Sequence, residues 1–171
     1  MNFKSDEWYV FGYEMGYITQ ICRYFSRLFQ DVYGKSNRYS KLIRKFNANL
    51  LLLKYNLDDI ICKSYPSQII RLPGYEDLNI TEVFYNINSK HANEFDYVDC
   101  ANVNTHKNKC KYKNKICVKT KNDILNYIQI IVDYCNKTNT VFFNNNDKNI
   151  IKILGLMNTL QSLANNEMVF E

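Results

Sequence analysis

A chain of 171 residues is long enough for one domain with a substantial core. Its 46% hydrophobic and 23% charged residues exclude an intrinsically disordered chain, and no apolar run approaches the ~18 residues of a membrane span. The net charge of +5 is local: Cys100–Lys121 holds seven lysines and no carboxylate, and taking these from the 22 basic residues leaves 15 against 17 acidic ones, so a uniformly basic surface is excluded too.

The N-terminal Met-Asn-Phe-Lys-Ser-Asp-Glu does not read as a signal peptide, because it lacks a short apolar core with a small-residue cleavage site. A cytoplasmic chain in a reducing compartment is the expectation, with its six cysteines as thiols. Asn79-Ile-Thr81 and Asn136-Lys-Thr138 match the glycosylation pattern but would then go unused. Heavy use of Asn, Lys, Ile and Tyr points to an AT-rich genome.

Ser5 followed by Asp6 and Glu7 starts a helix, with a capping oxygen and then acids at the positive end of the dipole. Trp8, Phe11, Met15, Ile18, Cys22, Phe25, Phe29 and Val32 recur at spacings of three and four, a helical seam. Val10, Tyr17, Ile21, Tyr24 and Leu28 widen it, so more than one partner should cover this helix. The C-terminal helices are the expected cover, and a homodimer the second choice to a monomer. Gly12 and Gly16, one turn apart, suggest a close helix crossing.

Gly34 ends the helix, and Ser36 or Asn37 can cap the next. There Ile43, Phe46, Leu50, Leu53, Leu57 and Ile60 continue the same spacing. The short join predicts an antiparallel hairpin. Leu50-Leu51-Leu52-Leu53 is apolar all round and is expected deep in the bundle. Pro66 and Pro73-Gly74 break the pattern, Asn79 with Glu82 resembles a capping box for a short helix to about Asn88, and 89–106 is ambiguous. Thr120 with Asp123 opens a helix to about Cys135 through Ile124, Ile128 and Ile131. Thr140–Phe143 reads as a short strand and Asn144-Asn145-Asn146 as a turn. Asn146 can cap a last helix to about Asn165 bearing Ile150, Ile151, Leu154, Met157 and Leu160. The fold class is therefore mainly α: a long antiparallel helical hairpin plus two C-terminal helices in one domain, 1–171, with a small β or irregular lysine-rich insert at about 89–120.

The insert carries the candidate contacts. Lys107, Lys109, Lys111, Lys113, Lys115, Lys119 and Lys121 fall on odd positions, while Cys110, Tyr112, Ile116 and Val118 fall on even ones. Period two reads as a strand with one cationic face, or as a hairpin of roughly 108–112 against 116–120. Two readings stand side by side. One is a solvated, lysine-guarded edge. The other is a footprint for an acidic protein surface or for nucleic-acid phosphates, with Tyr112 the only aromatic contact. The lack of Arg argues against specific base reading. Cys100, His106, Cys110 and Cys117 supply four zinc-type ligands, although their spacing matches no paired C-x2-C arrangement.

Catalytic signatures are thin. Tyr33-Gly-Lys-Ser36 matches the end of a phosphate-binding loop, but Phe29 stands where that loop needs Gly, and a helix precedes it instead of a strand. Cys100 with His91 or His106 would be a thiolate pair without a third, orienting group. The pattern of an Arg followed within two turns by a His, as in helical ribonucleases, is absent, since Arg71 is the last Arg and His91 the first His. Glu94, Asp96 and Asp99 read as solvated carboxylates. The expectation is a non-enzymatic, cofactor-free interaction or inhibitor protein of viral or mobile-element origin. The alternative is a nucleic-acid-associated protein that uses the lysine face, clamped or not by zinc.

Overall fold

The computed structural model describes residues 5–64 and 118–170. These form four helices: α1 (Ser5–Tyr33), α2 (Arg38–Ser64), α3 (Val118–Phe143) and α4 (Lys148–Asn166). The mainly-α expectation holds, and none of the four is long and apolar enough to cross a membrane. Any β character in the insert before Val118, the short helix expected after Asn79, Cys100, His106, Cys110, Cys117, Tyr112 and Lys107 through Lys115 lie outside the described residues.

The three-and-four spacing turns one face of each helix inward. Phe11, Met15, Ile18, Cys22, Phe25 and Phe29 of α1 are buried, as are Ile43, Phe46, Leu50, Leu53 and Leu57 of α2. Ile61 rather than Ile60 completes the α2 seam: Ile61 is fully buried, while Ile60 only packs against the core's edge. From the C-terminal half, Ile124, Ile128, Ile131 and Cys135 join Ile150, Ile153, Met157 and Leu160 in the same apolar cluster. Burial of a continuous apolar face, more than intrinsic propensity, holds helices of this length.

α1 packs on α2 and α3, and α4 on α2 and α3, so the ring order is α1–α2–α4–α3. Each neighbouring pair is antiparallel. Cys22 Sγ meets Asn47 Oδ1 at 3.7 Å while Phe29 meets Tyr39 at the other end of the pair, with ring centroids 5.6 Å apart. Phe11 lies by Tyr134, whereas Tyr24 lies by Tyr127. Asn56 Nδ2 donates to Asp147 at the start of α4, and Arg38 at the start of α2 pairs with Glu167 after the end of α4. The end of α2 and the start of α3 therefore lie at opposite ends of the bundle. α1 is covered on two sides, as its width requires, but of the C-terminal pair it is α3 that supplies the second cover. Gly12 and Gly16 are buried.

The α1–α2 turn follows its residues. Gly34 takes a left-handed φ of 86°, and its amide donates to Gln30 O at 2.9 Å. Asn37 is the cap: its Oδ1 accepts from the Ser40 amide at 2.9 Å, and its Nδ2 reaches back to Phe29 O at 3.2 Å. Phe29, Tyr33 and Tyr39 close the turn from inside.

Four expectations are corrected. Thr140–Phe143 is the last turn of α3, not a strand. A short β-branched and aromatic run does not by itself distinguish the two, and here Val141, Phe142 and Phe143 keep packing on the core in helical register. α3 also starts at Val118, so a strand arm through 116–120 is not formed at its last three positions, and Lys119 and Lys121 belong to the first turns of a helix. Leu51 and Leu52 are not deep in the bundle: they stay 47% and 50% exposed, because among the described residues α2 packs mainly on α1 and α4, which cover its opposite side; Ile151 of α4 is likewise 54% exposed. The cap of α4 is Asp147 rather than Asn146. Asn144 and Asn145 take the left-handed φ values of 48° and 64° that Asn tolerates, and this turn carries the chain one residue further.

Asp147 accepts from the amides of Asn149 and Ile150 at 2.8 Å each, and its own amide donates to Asn139 Oδ1 at 3.1 Å. Replacing Asp147 by Ala should cost about 1–2 kcal/mol of unfolding free energy, measurable by urea titration, whereas Asn146→Ala should be close to neutral.

Candidate functional site

α1 and α3 are the most loosely joined neighbours in the ring. Aromatic side chains set their separation at two levels. At the lower level the Tyr134 hydroxyl donates to Phe11 O at 3.2 Å, and the Phe11 ring meets Phe142 edge-on with centroids 4.8 Å apart. At the upper level Tyr127 stands edge-on between Tyr24 and Phe25, at 5.5 and 6.2 Å. Between these props the helices leave an open groove of about 380 Å³, lined by Glu14, Tyr17, Ile18, Ile130, Asp133 and Tyr134, with Lys137 at its rim.

The walls of the groove are mainly apolar and its rim is charged. Lys137 Nζ lies 3.2–3.3 Å from both oxygens of Glu14 and 4.5 Å from the centre of the Phe11 ring, so a carboxylate and a π face hold the ammonium in one place. One turn before Lys137 on α3, Asp133 Oδ1 accepts from Gln129 Nε2 at 2.8 Å. Glu14 and Lys137 offset each other, and Asp133 leaves the rim with one negative charge in excess. Burial raises the Tyr134 phenol well above its ordinary value, so it stays protonated.

Two cysteines have described side chains, and both are poor nucleophiles. Cys22 and Cys135 are free thiols inside the core, and burial pushes each up to about 12, so neither is a thiolate near neutral pH. Among the described residues no three His, Cys, Asp or Glu side chains converge as metal ligands. Asp58 of α2 is the unusual acid: both carboxylate oxygens are buried without a hydrogen-bond partner among the described residues. Desolvation pushes its carboxyl up to about 6, against the pull of Lys54 one turn back. Lys54 is itself lowered by burial, so this pair does not recover the desolvation of its charges.

Of the lysines singled out in the sequence, one has a described environment: Lys121 Nζ lies 5.4 Å from the centre of the Phe170 ring, beyond α4. Lys119 lies in the first turn of α3. The groove was not legible in the sequence. Tyr17 reads there only as extra width on the α1 seam, and nothing local links Glu14 to Lys137, which lies on the far helix of the groove.

A four-helix bundle with an open, apolar, charge-rimmed groove between its first and third helices defines a class of architecture, not an activity. Comparison with protein-family models, with curated proteins and with solved structures finds no match for the chain.

Proposed function

We propose that this protein acts by binding rather than by catalysis, as an interaction or inhibitor protein that receives an apolar segment of a protein partner in the α1–α3 groove. The groove itself carries this reading. It offers apolar walls of Ile18, Ile130 and Tyr17 with fixed charges at the edge, the combination by which helical grooves take up amphipathic segments. The acidic excess at Asp133 favours a partner with a cation beside its apolar anchors.

The alternative, phosphate contact through the lysines of 107–121, is separated by one comparison. Immobilised full-length protein is used to capture partners from an extract of its source cells, with and without nuclease. Ile130→Glu places a charge in the groove wall at a half-buried position, and far-UV circular dichroism checks that the variant is folded. Capture that survives nuclease and falls at least about tenfold in this variant, the effect of ~1.4 kcal/mol, supports groove binding. Capture that nuclease abolishes and Ile130→Glu leaves intact favours the lysines instead. In that case Lys109, Lys111 and Lys113 replaced together by Ser should flatten the salt dependence by about one unit for each phosphate no longer neutralised. On that phosphate reading the triple change should leave the melting temperature almost unmoved, since solvated charges add little to folding.

A further inference from the structure

The side of α2 turned away from the bundle carries a second, exposed seam. Leu51, Leu52 and Tyr55 are 47%, 50% and 50% exposed, and Ala48 beside them is exposed as well. Single exposed apolar residues are ordinary, but these fall on consecutive turns of one helix face. α4 extends the patch. Asn56 and Asp147 are hydrogen-bonded, and one turn further along each antiparallel helix brings Leu52 and Ile151 to the same level. Charges bracket the seam asymmetrically: Arg44 lies two turns before Leu51 and Asp59 two turns after Leu52. Asp59 meets Lys63 across one exposed turn, a contact of small weight. Arg44 is exposed, with no ion-pair partner among the described residues.

We propose that this face is a self-association surface and that its occupant is α2 of a second copy of the chain, packed antiparallel about a two-fold axis between Leu51 and Leu52. A two-fold axis pairs each residue with the one equally far on its other side. Placed there, it sets Leu51 against Leu52, the small Ala48 against the large Tyr55, and Arg44 against the second copy's Asp59. All three pairings occur twice and all three are complementary: apolar with apolar, small with large, positive with negative. Parallel packing would instead put Arg44 beside Arg44 and Asp59 beside Asp59, and like charges in register are repulsive. The surface is separate from the α1–α3 groove, so pairing through α2 leaves both grooves open.

The patch is small, so the expected dimer is of moderate affinity and the full-length chain should be examined by sedimentation equilibrium at about 10–500 µM, the range suited to a limited interface. The wild-type chain should approach twice its 20.3 kDa mass at the upper end of that range. Arg44→Asp alone and Asp59→Arg alone should each weaken association at least about tenfold, because each replaces two attractive contacts by two repulsive ones. The double variant Arg44→Asp/Asp59→Arg should recover it, since the exchange restores opposite charges across the axis. Leu52→Asp should be monomeric throughout. Far-UV circular dichroism confirms that each variant is folded, as expected for exposed positions. A wild-type chain that stays monomeric at 500 µM overturns the proposal. So does association that the single charge reversals leave unchanged, or that the double exchange fails to restore.

Discussion

Replacing Phe25 by Ala lowers the unfolding free energy by about 3–5 kcal/mol, as does Leu53→Ala by about 2–5 kcal/mol. Both side chains are fully buried. Phe25 stacks on Phe29 with centroids 5.8 Å apart and meets Tyr127 across the α1–α3 boundary, so its loss opens a cavity that two helices would have to close. The informative control is Leu52→Ala. It removes the same side chain as Leu53→Ala, one residue earlier, from a position that is half exposed. Its effect on the monomer should stay within about 0.5 kcal/mol. Urea titrations at low chain concentration with unchanged slope measure both. Equal losses at Leu52 and Leu53 would mean that α2 is rotated from the orientation described.

The second large effect has the opposite sign. Asp58 is destabilising whenever it is ionised, because its carboxyl titrates near 6 in the folded chain and near its ordinary 3.8 in the unfolded one. Between those values the folded state holds a proton that the unfolded state has released, so stability falls as pH rises from about 4 to about 6 and is level above. Asp58→Asn removes that fall. Full conversion of the shift would give about 3 kcal/mol. The two oxygens are shielded but the residue as a whole is only partly buried, and solvent screening brings this to about 1.5 kcal/mol. The variant should match the wild type below pH 4 and exceed it by that amount at pH 7. The difference between the two melting profiles, taken from pH 3.5 to 7.5, is the measurement. A variant weaker than the wild type at pH 7 would show that the carboxylate has a partner that stabilises its charge.

The helices were legible because their information is periodic and local. The seam from Phe11 to Phe29 and that from Ile43 to Leu57 each repeat often enough that no strand pattern competes, and Gly34 with Asn37 marks the turn between them by backbone demands that few residues meet. What failed was non-periodic or non-local. Thr140–Phe143 is too short for its period to speak. The exposure of Leu51, Leu52 and Ile151 depends on how many neighbours α2 and α4 have, which an apolar run does not encode. The groove was invisible for the same reason. It exists because Phe11, Tyr24, Tyr127 and Tyr134 hold α1 and α3 apart; Phe11 and Tyr24 read in sequence only as positions of the α1 seam, and nothing there marks Tyr127 and Tyr134 as their partners. The lysine cluster, in contrast, stands out in sequence, because charge sign is written residue by residue.

The ring order has one more effect, on chain length. α2 ends at one end of the bundle and α3 begins at the other, and a helix of 27 residues such as α2 is about 40 Å long. An extended chain covers that distance in about a dozen residues. Residues 65–117 are thus several times more numerous than the crossing demands. Tethering alone does not account for that number of residues.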